Sequence, residues 1–275
     1  MGKTRPFLEV LASALKEDYG FPTLELVAFA YILATIILAT TLSGSSGIGS
    51  IYFTEETLTI YALRFIGNPL MALLVTGLFF GLLVLKNIAY SFGNDLERGV
   101  IVSLLSYPLK RRSLFTAKLL SSLGVPFMLF VALQFFLVSL LTPGSVSIPI
   151  VLATILAANS YSLVVASIVL VLTVRFKRGS RALMVGIVLY FASFFIFMFS
   201  LIMAVPAGPI ALKVASILFP ILPLQLHYQI GWDPIILKVW TPSLSEAFLY
   251  TGAAYVLTVS ILALACLYFE RRLEI

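Results

Sequence analysis

Residues 148–174 read IPIVLATILAANSYSLVVASIVLVLTV, a run that contains no charged side chain. An α-helix rises about 1.5 Å per residue, so this run as a helix is longer than the hydrocarbon core of a bilayer, which is about 30 Å thick. The run is apolar throughout instead of alternating, which favours a membrane helix over a barrel strand. We therefore predict a transmembrane helix that tilts or projects beyond the bilayer.

The composition of the whole chain is that of a membrane protein. Of its 275 residues, 61% are hydrophobic and 11% are charged, whereas soluble domains have about 45–50% apolar and about 25% charged residues. This composition excludes a cytosolic enzyme, a disordered chain and a nucleic-acid-binding domain. The chain also has a single cysteine, Cys266, and a single histidine, His227, which excludes an intrachain disulfide and a two-histidine site made by one chain.

Six apolar segments predict an all-α membrane protein with six transmembrane helices. The predicted spans lie at about 24–43, 65–90, 115–141, 148–174, 182–205 and 245–269. The first follows a segment that contains acidic residues and has no convincing cleavage pattern, so we interpret it as a retained span and not as a signal peptide. Ser243 and Glu246 have the spacing of a capping box that opens the last span.

The basic residues predict the orientation. Most of the 18 lysine and arginine residues fall in segments that share one side of the membrane, which the positive-inside rule identifies as the cytoplasmic side of the plasma membrane. Both termini are then cytoplasmic, and the net charge of +6 is explained without a nucleic-acid partner. Residues 206–244 become extracytoplasmic, and their prolines favour a short helical hairpin or re-entrant piece over a seventh span.

Residues 5–19 have apolar side chains at three- and four-residue spacing, and polar side chains on the other face. The apolar set is Phe7, Leu8, Leu11, Leu15 and Tyr19, and the polar set is Glu9, Ser13, Lys16 and Glu17. This pattern predicts an amphipathic helix that lies in the inner membrane interface. A solvated helical tail is the alternative.

Residues 94–106 predict a short cytoplasmic helix after the second span. Asn94 and Glu97 have the spacing of a capping box, and Pro108 ends the helix. An apolar stripe runs along it, made of Val100, Ile101, Leu104 and Leu105. A short helix with one apolar face between two spans is suited to docking on another protein; the alternative is an interfacial helix that covers lipid headgroups.

This segment resembles the corresponding one in the type-2 permease family of ATP-binding-cassette transporters. The shared pattern is an acid, Arg-Gly, a Leu-Leu pair, a proline, a basic residue and a later lysine. The matching residues are Glu97, Arg98, Gly99, Leu104, Leu105, Pro108, Arg111 and Lys118. Two positions depart from the pattern, since Val100 stands where threonine is common and Ala117 where glycine is. The likeness in layout extends along the whole chain.

The resemblance implies a permease subunit of type-2 exporter architecture that binds two separate ATPase subunits and a second permease chain, identical or different. Residues 94–106, beginning at Asn94, would form the coupling helix that docks on the ATPase. ATP and Mg²⁺ would bind to the ATPase subunits, so this chain is expected to hold no cofactor, no metal and no catalytic residue. The implied substrate is a lipid, glycan, peptide or drug-like amphiphile that is exported.

Other function classes fit the sequence less well. The chain has no phosphate-binding loop of the Gly-x4-Gly-Lys-Ser/Thr type, so ATP hydrolysis must occur in another polypeptide. A stand-alone secondary transporter or channel is the main alternative, but the predicted spans lack a mid-membrane carboxylate that would carry protons. An embedded enzyme or a purely structural anchor are the remaining readings.

Overall fold

The computed structural model describes residues 5–20, 25–26, 28–29, 32–33, 80–105, 110–141, 148–229 and 234–272. In this part of the chain every regular element is a helix, so the predicted all-α fold class is confirmed here. The predicted span at 24–43 and the first part of the one at 65–90 lie largely outside the described residues. A total of six spans therefore stays a prediction.

The helices that the structure describes are numbered in chain order. They are α1 (Arg5–Tyr19), α2, α3 (Val100–Leu105), α4, α5 (Ile148–Phe176), α6 (Gly179–Ile202), α7 (Ala204–Ala207), α8 (Pro209–Leu218), α9 (Leu222–His227), α10 (Pro234–Val239) and α11 (Leu244–Arg272). Helix α2 joins α-helical Gly81–Lys86, π-helical Asn87–Phe92 and α-helical Gly93–Glu97. Helix α4 joins α-helical Arg111–Leu119, π-helical Leu120–Gly124 and α-helical Val125–Leu141.

Four helices of the described part are long and apolar enough to cross a membrane. They are α4 over Arg111–Phe136, α5 over Ile148–Phe176, α6 over Gly179–Ile202 and α11 over Leu244–Arg271. They coincide with the predicted spans at 115–141, 148–174, 182–205 and 245–269. Helix α6 ends a little before its predicted boundary, because the chain turns at Met203 before the short helix α7 begins.

Helix α5 is the centre of the bundle. In its most apolar stretch 72% of the residues are buried inside the protein, against 22% for both α6 and α11. It is surrounded by α2, α4, α6 and α11. The buried hydroxyls of Thr154, Ser160, Ser167 and Thr173 donate to the helix's own backbone carbonyls, so these four hydroxyls are satisfied within α5.

Helices α2 and α6 touch through their backbones. Gly93 of α2 lies against Gly179 at the start of α6, and a Cβ at Gly93 would come within 2.6 Å of the Gly179 Cα. A Cβ at Gly179 would in turn overlap the Ala89 carbonyl oxygen. Only glycine at both positions permits this close crossing.

The described parts of the segment 206–244, which are residues 206–229 and 234–244, form short helices and no seventh long one. Pro209, Pro223 and Pro234 lie in the first turns of α8, α9 and α10, where proline is tolerated. The predicted capping box that opens α11 is confirmed, since Ser243 N donates to Glu246 Oε2 at 2.9 Å and Glu246 N donates to Ser243 Oγ at 3.2 Å.

Helix α1 is confirmed as a helix over residues 5–19, and its position in the membrane interface stays a prediction. Ala14 and Asp18 are buried against α2 and α4, whereas Leu8 of the predicted apolar stripe is 57% exposed. Helix α1 therefore packs on protein through the face that contains Ala14 and Asp18. The start of α4, the end of α11 and α3 lie at the same end of the bundle as α1, and we call it the α3 end.

Candidate functional site

The predicted single helix over 94–106 is wrong, because the structure divides this segment into two helices. Asn94 is not a cap: it lies inside α2, and Phe92 and Gly93 before it already have helical backbone angles. Helix α2 ends instead at Arg98 and Gly99, where the Arg98 N–H donates to the Asn94 carbonyl at 2.8 Å and Gly99 has a φ of 72°. A glycine in the left-handed conformation is a common helix terminator, since it has no Cβ to clash.

Helix α3 begins at once after this turn and is held by the protein's own core. The Ser103 N–H donates to the Gly99 carbonyl at 3.1 Å, which starts the new helix. Ile101 is fully buried, and Leu104 and Leu105 are half-buried against the same core. The predicted apolar stripe thus faces inward except for Val100. The exposed side chains of the turn are Glu97, Arg98, Val100 and Ser103, and we call them the turn surface.

Lys118 lies beneath the turn surface and links three helices. Its side chain is 6% exposed, and its Nζ lies 2.6 Å from Asp95 Oδ2 of α2. The same Nζ lies 3.0 Å from Glu17 Oε2 of α1. Charge-assisted contacts of this length are stronger than neutral hydrogen bonds. One buried cation of α4 therefore connects α1 to the helix that ends in the turn surface.

A second set of polar contacts lies beside Lys118. Ser121 Oγ donates to Asp18 Oδ2 at 2.5 Å, and the Tyr19 hydroxyl donates to the Ser121 carbonyl at 2.7 Å. Asn87 Nδ2 donates to the Tyr19 hydroxyl at 3.2 Å. Together with the Lys118 contacts these residues form the polar cluster: Glu17, Asp18, Tyr19, Asn87, Ser91, Asp95, Lys118 and Ser121.

Both π-helical segments supply side chains to this polar cluster. Asn87 and Ser91 come from the π segment of α2, and Ser121 comes from the π segment of α4; the two segments touch each other. A π turn is wider than an α turn and is found frequently at functional sites. The coincidence of both wide turns with the buried polar groups marks this cluster as the candidate site.

The two buried carboxyls of the polar cluster have raised pKa values. Burial raises the pKa of Asp18, and the hydrogen bonds from Ser121 and Ser91 oppose that shift only in part. Burial also raises the pKa of Asp95, against the hydrogen bond and the charge of Lys118. Burial raises the pKa of the Tyr19 hydroxyl as well. Desolvation disfavours each charged form, and at Asp95 the paired ammonium of Lys118 opposes this effect.

The remaining predicted site residues lie near the same end of the bundle. Arg111 Nη1 donates to the Glu270 carbonyl at 2.9 Å, and Arg112 forms an ion pair with the Glu270 side chain. These contacts hold the end of α11 against the start of α4. Pro108 lies outside the described residues. The structure thus brings Lys118 to the centre of the cluster, places Arg111 at its edge and leaves Glu97 and Arg98 on the surface.

Sequence reasoning missed most of the polar cluster around Lys118. Asp18, Asp95 and Asn87 were not among the predicted site residues, although a signal for Asp18 existed. Val10, Ala14 and Asp18 recur every four residues and form one helix face. A carboxylate in such a row on an otherwise apolar face indicates a buried partner on another element.

The arrangement provides ion pairs, hydrogen bonds and protonatable acids. Among the described residues, no group of three or more histidine, cysteine, aspartate and glutamate side chains could hold a metal ion.

No protein-family model matches the chain, and a search of curated proteins finds no match either.

Proposed function

We propose that the chain is the permease subunit of an ATP-driven transporter that exports a lipid, glycan, peptide or drug-like amphiphile. Four membrane-length helices support a role within the membrane. The motif at Glu97, Arg98 and Gly99 supports the ATP-binding-cassette class, since it lies on a turn between two short helices that follow an apolar segment.

The observation that carries this proposal is the anchoring of the turn surface. Its backbone is fixed on one side by the buried Ile101 and on the other by Asp95, which pairs with Lys118. A force applied to Glu97 or Arg98 by a docked protein is therefore transmitted to α1 and α4 through packed atoms and an ion pair. An unanchored loop would absorb the same displacement.

The proposal includes the partners that the mechanism requires. Two ATPase subunits bind ATP and Mg²⁺ and dock on the turn surface of two permease chains, which lie in the plasma membrane with their termini in the cytoplasm. Closure of the ATPase pair then changes which side of the membrane the substrate path faces. Nucleotide and substrate must bind the two states with different affinity, because otherwise the equilibrium does not shift.

Affinity purification of the full-length chain from its native membrane tests this proposal. We expect a polypeptide with a phosphate-binding loop to co-purify, together with ATP hydrolysis that the purified permease stimulates after reconstitution into liposomes. Purification without any ATPase, combined with transport that needs a proton gradient and no ATP, would instead indicate a secondary transporter.

The docking role of the turn surface is tested by Arg98→Glu. Arg98 is exposed, so this charge reversal leaves the core intact, and we expect about a tenfold loss of bound ATPase, equivalent to about 1.4 kcal/mol. The matched control is Lys238→Glu in α10, an exposed charge reversal outside the α3 end. Equal ATPase retention by the two variants contradicts docking at the turn. A change at Leu104 is a poorer test, since this side chain packs on the core.

A further inference from the structure

Asp18 is a buried carboxyl without a cationic partner. It is 2% exposed, and its Oδ2 accepts the hydrogen bond from Ser121, but its Oδ1 is buried with no hydrogen-bond partner. The nearby ammonium group of Lys118 is committed to Asp95 and Glu17. An ionised carboxylate without a paired charge is costly to bury.

The charges around Asp18 already sum to a negative value. Ser91 of α2 and Ser121 of α4 bond to Asp18, and the charges of Glu17 and Lys118 act on it. Around these groups, Asn87 of α2 bonds to Tyr19 and Asp95 of α2 pairs with Lys118. Among these groups two carboxylates share one ammonium. An ionised Asp18 would add a second uncompensated negative charge, on a carboxyl that is itself buried.

The cluster also contains an acceptor that lacks a donor. Asn87 is fully buried, its Nδ2 donates to the Tyr19 hydroxyl, and its Oδ1 has no partner. Two buried oxygen atoms, Asp18 Oδ1 and Asn87 Oδ1, are therefore both acceptors without a hydrogen. Protonation turns one oxygen of Asp18 from an acceptor into a donor, so the protonated form no longer leaves a charged acceptor buried without a partner.

We propose that Asp18 binds a proton from solvent when α1 docks on α2 and α4, and that loss of this proton releases α1. The raised pKa of Asp18 agrees with this assignment. The docked state binds more protons than the released state, in which the carboxyl returns to its ordinary pKa of about 3.9. Docking is thus fully favoured below that ordinary value and weakens as the pH rises through the raised one.

Hydrogen exchange of the purified full-length chain measures this docking, without any ATPase, so its outcome is independent of the proposed transport function. Peptides that cover residues 5–19 are followed over a pH series, with the intrinsic exchange rate divided out. In the wild type we expect protection to fall by up to about tenfold per pH unit between the ordinary and the raised pKa, which is the limit for a single proton, and to level off above the raised pKa. In Asp18→Asn we expect protection that does not change with pH.

Glu9→Gln is the matched control, because Glu9 is an exposed carboxylate on the same helix. It should follow the wild-type profile. The same profile in wild type and Asp18→Asn overturns the proposal, as does wild-type protection that is constant with pH.

A second measurement avoids dependence on the folding of Asp18→Asn. Carboxyl ¹³C NMR of aspartate-labelled protein follows the titration of each aspartate. Because the pKa of Asp95 is raised as well, the Asp18 signal is identified as the one that shifts in Ser121→Ala, which removes the hydroxyl that stabilises its charged form. We expect an aspartate signal that titrates above about pH 3.9 and moves to still higher pH in Ser121→Ala. A spectrum whose aspartates all titrate at the ordinary value, or are unaffected by Ser121→Ala, overturns the proposal.

Discussion

Two buried polar sites differ in charge and in position along the bundle. The polar cluster contains the charged Lys118 and Asp95 and lies near the start of α4. Farther along α4, Gln134 accepts a hydrogen bond from Asn159 Nδ2 of α5 at 2.8 Å, and both of these amides are buried. The first site is ionic and at the α3 end, whereas the second is neutral and lies between two membrane-length helices.

The comparison indicates that this fold tolerates buried charge near the α3 end of the bundle and uses neutral groups farther along α4. A charged side chain costs about 2.5–3.5 kcal/mol at the centre of a membrane helix, but less near an end where the side chain reaches polar surroundings. Lys118 is paired with two carboxylates, while Asn159 and Gln134 link their helices without a formal charge. The two sites should therefore respond very differently to loss of one partner.

The largest effect is expected for Lys118→Met. This change keeps the apolar stem and removes the ammonium, so that Asp95 and Glu17 lose their shared cation. Removing one partner of a buried ion pair costs about 3–5 kcal/mol, and the half-exposed Glu17 contributes little of that. The free energy of unfolding in detergent mixed with a denaturing surfactant measures the loss.

Lys16→Met is the control for that substitution, since Lys16 is exposed on α1. It should change the free energy of unfolding by no more than about 0.5 kcal/mol. A similar small change for Lys118→Met would show that the cluster is not a site of strong ionic coupling, and the contrast with the amide pair would disappear.

A smaller effect is expected for Gly99→Ala at the α3 end. No atom lies within 4 Å of the added Cβ, but the φ of 72° is unfavourable for alanine, and the cost is about 1–2 kcal/mol. Gly252→Ala in the membrane-length helix α11 is the matched control, because its Cβ also meets open space and its backbone is helical. This second change should stabilise the protein by up to about 1 kcal/mol. If Gly99→Ala and Gly252→Ala changed the thermal stability equally, the left-handed backbone of Gly99 would not be needed to end α2.

The smallest effect is expected for the amide pair. A double-mutant cycle with Asn159→Leu and Gln134→Leu isolates the coupling between the two side chains, which averages about 0.6 kcal/mol for hydrogen bonds within membrane proteins. The free energy of unfolding of the four proteins gives this value. If the coupling free energy of the amide pair were as large as the loss of unfolding free energy in Lys118→Met, the charged site and the neutral site would contribute equally to stability, and the contrast between them would be wrong.

The long helices could be predicted because their signal is local. Uninterrupted apolar runs gave α4, α5, α6 and α11, and the spacing of Ser243 and Glu246 gave the cap of α11. Each of these features depends on neighbouring residues and on the surrounding solvent. Hydropathy and short-range spacing contain that information.

The candidate site could be predicted only in part, since its contacts join distant segments. Lys118 was identified from its place in a motif, but its partners Glu17 and Asp95 lie in two other helices. The helix break at Gly99 had a local signal, because glycine commonly follows a helix end. The sequence instead predicts a helix start at Asn94, because Asn94 and Glu97 have the spacing of a capping box. The helical backbone of the residues before Asn94 shows that this segment is the end of a helix and not its start.

The crossing of Gly93 and Gly179 has a mechanical consequence. Main-chain atoms of α2 and α6 are in direct contact there, whereas the rings of Phe92, Phe115 and Phe269 nearby join α2, α4 and α11 through side chains. The separation of α2 and α6 at the crossing is thus set by backbone contact and not by the size of a side chain. Even a single methyl group at Gly179 would force the axes of α2 and α6 apart and change the tilt of α2, the helix that ends at Arg98.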